Sequence, residues 1–244
     1  MRYAVISDVH GNLEALEGVL ADIEKRFEGR PPPVLFLGDA VGYGPNPNEC
    51  VSLIKETTSV RLAGNHDRAV LGLTDIEYFN EYARAAILWT QGVLSDESKN
   101  TLRPLPVETR LREEGLYLVH STPKRPLLWN YLLTIGDAEV NFDYFSERIC
   151  LLGHSHLPFI LERLLTGEIA VQKNKARLLE PRRYIINAGS VGQPRDGDPR
   201  ACYAVLDGKS AELIRVPYDI EKTQRKMAEA GLPGFLIERL ALGR

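Results

Sequence analysis

The sequence predicts an α/β fold, and three of its features carry that expectation. Between Tyr3 and Ala63, short apolar runs alternate with segments whose apolar residues recur at helical spacing, the pattern of strands joined by helical crossovers. From Leu116 onward the pattern turns to apolar runs separated by turn residues, which points to further strands and hairpins. The third feature is positional: the Asp, Asn and His residues that could perform chemistry stand directly after apolar runs, not along helical faces.

Tyr3 to Ser7 reads as a buried strand. From Asn12 onward, Leu13, Leu16, Val19, Leu20, Ile23 and Phe27 share one face of a helix that Gly29 and Pro31 to Pro33 terminate. Val34 to Leu37 gives a second strand. Asn46, Pro47 and Glu49 announce a second helix as cap, first residue and capping-box partner, with Cys50, Val51 and Ile54 on its inner face. Ser59 to Ala63 supplies a third strand, and returns through helices make these early strands parallel. A helical stretch at about 75–103, with Ala85, Ala86, Leu88 and Trp89 at its centre, is expected as an insertion or cap at one edge of a single domain covering 1–244. Leu116 to Val119, Ile149 to Leu152 and Ile185 to Asn187 follow as strands. Turn residues at Thr166-Gly167 and Lys173-Asn174-Lys175 predict antiparallel hairpins between Pro158 and Leu179. Ala201 to Leu206 and Glu212 to Val216 form a last pair. The chain closes with a helix capped by Asp219 and ended by Gly231 and Pro233, then a short amphipathic segment from Phe235 to Leu240.

Bulk composition narrows the function classes. With 44% hydrophobic and 26% charged residues over 244 positions, the chain can bury a large core and is far from a disordered composition. A formal net charge of -3 provides no basic field to collect nucleic acid, so a dedicated DNA-binding role loses ground. Three scattered cysteines, Cys50, Cys150 and Cys202, build neither a disulfide framework nor paired metal knuckles and read as thiols in a reducing compartment. No apolar run approaches the length of a membrane span, and the run at Tyr3 to Ile6 is too short for a signal peptide. The expectation is a soluble, cytoplasmic protein without a membrane partner.

The protein has five histidines, His10, His66, His120, His154 and His156, and all five follow predicted strands. Asp8 shares the first of these turns, Asp39 follows the second strand, and Asn65 precedes His66 after the third. Because loops at the carboxyl ends of strands converge on one crevice, residues spread from position 8 to position 156 can meet. Any one of these histidines alone would more often be a hydrogen-bonded structural residue; five of five in the same kind of place is a different matter. Glycines flank them in Gly38-Asp39, Gly64-Asn65-His66-Asp67 and Gly153-His154-Ser155-His156, where tight turns bring side chains close to an ion. Imidazole, carboxylate and amide carbonyl without thiolate suit Mn, Fe, Zn, Ni or Co in a partly open site.

These blocks, D-x-H at Asp8 and His10, G-D at Asp39, G-N-H-D at Gly64 to Asp67, the lone His120 and G-H-x-H at His154 and His156, occur in the order that marks the calcineurin-like metallophosphoesterase superfamily. The chain resembles that superfamily over most of its length, and in particular its compact bacterial and archaeal phosphodiesterase branch. The resemblance implies a four-layer fold, two β-sheets packed face to face with flanking helices. It also implies two divalent ions, manganese first among them: one on Asp8, His10 and His156, the other on Asn65, His120 and His154, with Asp39 bridging. A hydroxide shared by the ions would be the nucleophile. His66 would then donate a proton to the leaving oxygen, oriented by a hydrogen bond to Asp67.

Weaker expectations attach to the rim. Asn12 is a candidate for the substrate side of the metals and equally for the helix N-cap. Arg195, in the loop Gly189 to Gly197, is a candidate phosphate grip, with a surface salt bridge as its competitor. Tyr43 and the stretch from Ser121 to Arg125 are candidates for lining the pocket. Tyr43 stands where protein Ser/Thr phosphatases carry the arginine of G-D-x-x-D-R-G, so the resemblance favours small phosphodiesters or nucleotides as substrates. A protein phosphatase, a nuclease, a nucleotide-binding regulator and a non-enzymatic scaffold are the rivals. The scaffold branch of the fold lacks the histidine found here at His66.

Overall fold

The computed structural model describes residues 2–244. In its first half, β1 (Tyr3–Ile6), α1 (Leu13–Arg26), β2 (Val34–Phe36), α2 (Pro47–Thr57), β3 (Val60–Arg61) and the short α3 (Asn65–Val70) succeed one another. Then come α4 (Glu81–Val93), α5 (Asp96–Leu102), β4 (Glu108–Leu111), β5 (Leu116–Val119), α6 (Ile135–Asn141) and β6 (Ile149–Leu152). The remainder is β7 (Phe159–Arg163), β8 (Ile169–Gln172), β9 (Lys175–Arg177), β10 (Arg183–Asn187), β11 (Ala201–Leu206), β12 (Ser210–Val216), α7 (Ile220–Glu229) and α8 (Gly234–Leu242).

The strands form two six-stranded mixed sheets, ordered β3-β2-β1-β11-β12-β9 and β4-β5-β6-β10-β7-β8. Each contains a parallel trio, β3-β2-β1 in the first and β5-β6-β10 in the second, with antiparallel strands beside it. The apolar runs are continuous because both faces of these strands are covered. Val5 and Leu35 point into the layer between the sheets, where they meet Leu118, Leu151 and Ile186. Their neighbours Ala4, Ile6 and Phe36 face outward onto α1 and α2 through Leu16, Val19, Cys50 and Ile54. On the far side, Tyr117, Cys150 and Ile185 face Ala138 of α6 and Phe142. The result is the four-layer order of helices, sheet, sheet, helix.

Several expectations are corrected. β9 does not return on β8 as a hairpin; it pairs with β12 in the other sheet, so Lys173-Asn174-Lys175 is a crossover between layers. Thr166-Gly167 does close the β7–β8 hairpin, Leu164 N–H donating to Glu168 O. Asn46 does not cap α2 with its side chain; its amide donates to Glu49 and its carbonyl receives Lys226. The helical stretch at 75–103 resolves into α4 and α5, with Ala83, Ala86, Ile87 and Thr90 as the buried face of α4, while Leu88 is exposed. Among the described residues no helix is long and apolar enough to cross a membrane.

The layer between the sheets holds the strand ends in register with one another, so its packing is the mechanical base of what those ends carry. Leu151→Ala removes a fully buried side chain from that layer and is expected to cost about 2 to 5 kcal/mol. Urea unfolding of wild type and variant measures it, and a loss under 1 kcal/mol would mean that the two sheets do not share a close-packed core.

Candidate metal centre

The two parallel trios end at one edge of the sandwich, and their C-terminal turns meet there. β1 leads to Asp8 and His10, β2 to Asp39, β3 to Asn65 and His66, β5 to His120, and β6 to His154 and His156. Five of these residues, Asp8, His10, Asp39, His154 and His156, have φ between 52° and 65°. Non-glycine residues adopt this left-handed region rarely and at a cost, so its recurrence at successive strand ends marks turns held by their surroundings. Glycine makes the room: a Cβ on Gly153 would collide with the Ser7 and Asp8 side chains, and one on Gly64 with the Asp39 carboxylate.

Each carboxylate is tethered by one backbone donor and otherwise faces inward. Asp39 Oδ1 accepts the His66 N–H at 2.9 Å, which leaves Oδ2 3.3 Å from His120 Nε2 and 3.7 Å from His10 Nε2. The Asp8 carboxylate accepts the His154 N–H at 3.0 Å and lies 3.3 Å from His156 Nε2. Asn65 Oδ1 stands 3.3 Å from His120 Nε2.

Four histidines are oriented in one way. His10 Nδ1 faces Val41 O at 3.1 Å, His120 Nδ1 faces Leu37 O at 2.9 Å, His156 Nδ1 faces Gln193 O at 2.6 Å, and His154 Nε2 faces Trp129 O at 2.8 Å. A carbonyl only accepts, so in each ring this nitrogen carries the proton and the other turns toward the cluster, the arrangement of metal-ligating imidazoles. Burial holds His10, His154 and His156 below the usual imidazole range, His154 down to about 3. Their inner nitrogens are therefore bare lone pairs at neutral pH. His10 Nε2 and His156 Nε2 face each other 3.0 Å apart, and two lone pairs at that separation need a cation between or beside them. Burial also works against charge on His120, yet Asp39 and Asp8 outweigh it and hold His120 up at about 9, so that a proton sits where a cation would.

These donors fall into groups that could each hold an ion, Asp8 with His10 and His156, and Asp39 with His120 and His154. Buried oxygen and nitrogen acceptors without thiolate fit borderline divalent metals. His66 is also close enough to His10 and Asp39 to form such a group, but it lacks the carbonyl lock of the other four. Its Nδ1 is buried without a partner, against Gly42. Burial lowers His66 to about 4, Asp39 opposing and Arg195 reinforcing the shift.

Beside the cluster opens a cleft of about 900 Å³ lined by His66, Asn65 and His154, and further by Tyr43, Tyr131 and Arg195. Tyr131 stacks on the His154 ring at 4.3 Å, and Tyr43 packs 4.6 Å from His10 and 4.5 Å from His66. Arg195 donates to Tyr43 Oη at 3.3 Å and to Gln193 Oε1 at 3.0 Å.

Two expected roles fall elsewhere. The Asp67 carboxylate makes no contact with His66; it accepts the backbone N–H groups of Asp39, Ala40, Val41 and Gly64 at 2.8 to 3.2 Å and so clamps the turn that carries Asp39. Burial and then the Asp39 charge push Asp67 up to about 7 against the pull of those donors. Asn12 is outside the cleft. Its Oδ1 caps α1 at Ala15 N–H and accepts Thr223 Oγ1, and its amide donates to Gly192 O, which leaves little of it for a substrate. Ser121 and Thr122 shape their own loop through Pro126 O and Lys124 O. Sequence reasoning missed Tyr131, Trp129 and Arg239 on the cleft wall. Nothing in their local pattern marks them, because α8 and the Trp129 loop reach the cleft only through tertiary packing.

Comparison with known proteins supplies an independent view. The family model of the calcineurin-like phosphoesterase superfamily domain matches residues 1–211. An uncharacterised protein of Methanocaldococcus jannaschii is 43% identical over 245 residues, covering 99% of this chain and 98% of that one. A metallophosphoesterase from Sphaerobacter thermophilus superposes with a TM-score of 0.86 at 40% identity over 100% of this chain and 99% of its own. A hypothetical protein from Pyrococcus horikoshii gives 0.80 at 21% identity over 100% and 98%, a likeness of fold.

The clamp on the Asp39 turn makes a prediction that needs no ion. Asp67→Ala strands four N–H groups and is expected to lower the stability of the metal-free protein by at least about 2 kcal/mol. Chemical denaturation in chelator reads it; unchanged stability would return Asp67 to the neighbourhood of His66.

Proposed function

The chain belongs to the calcineurin-like phosphoesterase superfamily, and we propose that it hydrolyses small phosphodiesters or nucleotides with two divalent ions. The observation that carries this reading is the pair of inward-facing donor groups that meet at Asp39. Asp8, His10 and His156 would hold one ion, and His120, His154 and Asn65 the other. Asp39 Oδ2, between His10 and His120, would serve both. Mn is the first candidate for this all-N,O set, with Fe, Zn, Ni or Co as alternatives. When bound, the ions supply Lewis acidity to the phosphoryl group and bring the pKa of water into the physiological range.

The chain's own residues then bind and move protons. His66 lines the cleft beside both donor groups, and its Nε2, the nitrogen not shut in against Gly42, would give a proton to the leaving oxygen. Burial keeps the His66 ring neutral in the metal-free site, with Arg195 acting in the same direction; an anionic phosphoryl group beside it would raise its affinity for a proton. Arg195 presents a guanidinium to the phosphoryl oxygens, anchored by Gln193 and Tyr43. The exposed faces of Tyr78 and Tyr131 offer stacking surface for a base. The cleft volume suits a nucleotide-sized molecule. All three cysteines are buried and unpaired, in keeping with a reducing cytoplasm.

The ligand assignment is tested by metal content at limiting ion. Metal-stripped protein should regain hydrolysis of an aryl phosphodiester only when Mn or a similar ion is restored. Asp39→Ala should lose occupancy of both positions, His156→Ala mainly of one and His120→Ala mainly of the other. Normal loading of two ions in the Asp39 variant would sink the assignment.

The role of His66 separates substrates by leaving group. An alkoxide leaves poorly without a proton, whereas a nitrophenolate leaves well as the anion, so His66→Ala should slow alkyl esters far more than nitrophenyl esters. The expected loss on the alkyl ester is about 10² to 10⁴, with both ions still bound. Equal losses on the two substrates, measured where chemistry limits the rate, would make His66 an electrostatic stabiliser, and loss of one ion would make it a ligand.

A further inference from the structure

One wall of the cleft carries two guanidinium groups that the proposed reaction at the metals does not exhaust. Arg195 and Arg239 both line it, from the loop after β10 and from α8. Neither pairs with an Asp or Glu carboxylate among the described residues, unlike Arg200 with Asp198 or Arg215 with Asp196. Arg195 Nε is buried without a hydrogen-bond partner. Arg239 is half-buried; its guanidinium lies 5.3 Å from the centre of the Phe235 ring, and its Nε donates to the Arg244 carbonyl. Phe235 also stacks with Tyr82, ring centres 4.6 Å apart. The aromatic pair therefore packs beside the Arg239 guanidinium.

The order of groups along this wall gives the pair its meaning. His10 and His66 pack on Tyr43, Tyr43 holds Arg195, and Arg195 and Arg239 line the same cleft. Burial and then the Arg195 charge lower Arg239 to about 10, which still leaves it charged at neutral pH. A folded protein that keeps two like charges on one cleft wall, partly desolvated and without an Asp or Glu partner, holds a site that an anion would complete. The metal cluster sharpens the point. With a monoanionic diester bound, the ions and their ligands would be close to neutral, which leaves the two guanidinium charges without an anion of their own.

We propose that Arg195 and Arg239 form a subsite for a second phosphoryl group, so that the preferred substrates are phosphate esters that carry an adjoining phosphate, such as nucleoside diphosphates or dinucleoside polyphosphates. This rests on the phosphoesterase reading above. The phosphoryl group that is cleaved lies at the metals, and its neighbour lies between the guanidinium groups, with Arg239 acting in recognition alone.

A binding measurement tests the subsite without turnover. Mn-loaded protein is titrated calorimetrically with methylenediphosphonate and with methylphosphonate, the metal content of each sample being checked afterward. Wild type should prefer the diphosphonate, and Arg239→Ala should reduce that preference by roughly ten- to a hundredfold, with Arg239→Lys falling between and circular dichroism confirming the fold. In the kinetic arm, Arg239→Ala should raise KM for a dinucleoside polyphosphate far more than for bis(p-nitrophenyl) phosphate, with kcat less affected. An undiminished preference in the Arg239→Ala protein, or equal weakening of both phosphonates, overturns the subsite. Absence of turnover on every ester by fully loaded wild type would overturn the phosphoesterase reading instead, and the calorimetric preference would still decide the subsite.

Discussion

The rest of the structure depends on a crowd of acceptors that the chain itself does not neutralise. Two carboxylates, an amide oxygen and the inner nitrogens of four imidazoles are brought within a few ångströms of one another in a buried volume. Left alone, such an arrangement is unfavourable: bare lone pairs oppose one another, and buried carboxylates lack full solvation. The folded state relieves part of this with protons, as the high affinity of His120 for its proton shows. Divalent cations would relieve it better, because each brings two charges and accepts several lone pairs at once. Metal binding would therefore be coupled to the stability of these turns, since the same ions that enable chemistry would remove the repulsion that the turns hold in place.

Holding that repulsion requires a rigid frame, and the frame is made from backbone. The outer nitrogens of the four imidazoles are fixed on carbonyls of Leu37, Val41, Trp129 and Gln193, which come from three different loops. Asp67 gathers four N–H groups around the Asp39 turn, and Ser190 Oγ donates to Asp8 O from the neighbouring strand end. Left-handed backbone at five of the converging residues is affordable only because these contacts over-determine each turn. Both sheets contribute: one trio of parallel strands brings Asp8, His10, Asp39 and Asn65, the other brings His120, His154 and His156.

That division explains what could be read from the sequence. The strand-then-ligand rhythm was visible because buried parallel strands are continuous apolar runs, and glycine-flanked Asp and His after them stand out from helical faces. All of the convergent residues were legible on that basis. Less legible was anything set by tertiary partners. Asp67 follows His66 in sequence, yet its carboxylate turns to the backbone of a different loop, and adjacency alone could not reveal that. Asn12 carries both a cap pattern and a position near Asp8, and the cap accounts for it. β9 offered a turn and a short run consistent with a hairpin, but pairing with β12 in the other sheet depends on how the two layers meet. The wall residues Tyr131 and Arg239 have no periodicity or motif to announce them.

The same distinction separates the chemistry from its selectivity. The converging donors lie on strand ends fixed by the inter-sheet core, so their geometry tolerates little variation. The cleft wall is built from α4, α8 and the loop around Trp129, which pack on the sandwich but do not belong to its sheets. Ala83, Ala86, Leu236 and Leu240 join α4 to α8 in a separate apolar cluster with Tyr43. Tyr43 thus belongs to two systems at once, packed against His10 and His66 on one side and against the helices that present Arg239 on the other. A change in α8 would reach the metal cluster chiefly through that ring. Substrate preference can therefore shift with the helical wall while the converging turns stay as the sheets define them, which is the physical basis for separating the recognition proposed for Arg239 from the proton transfer proposed for His66.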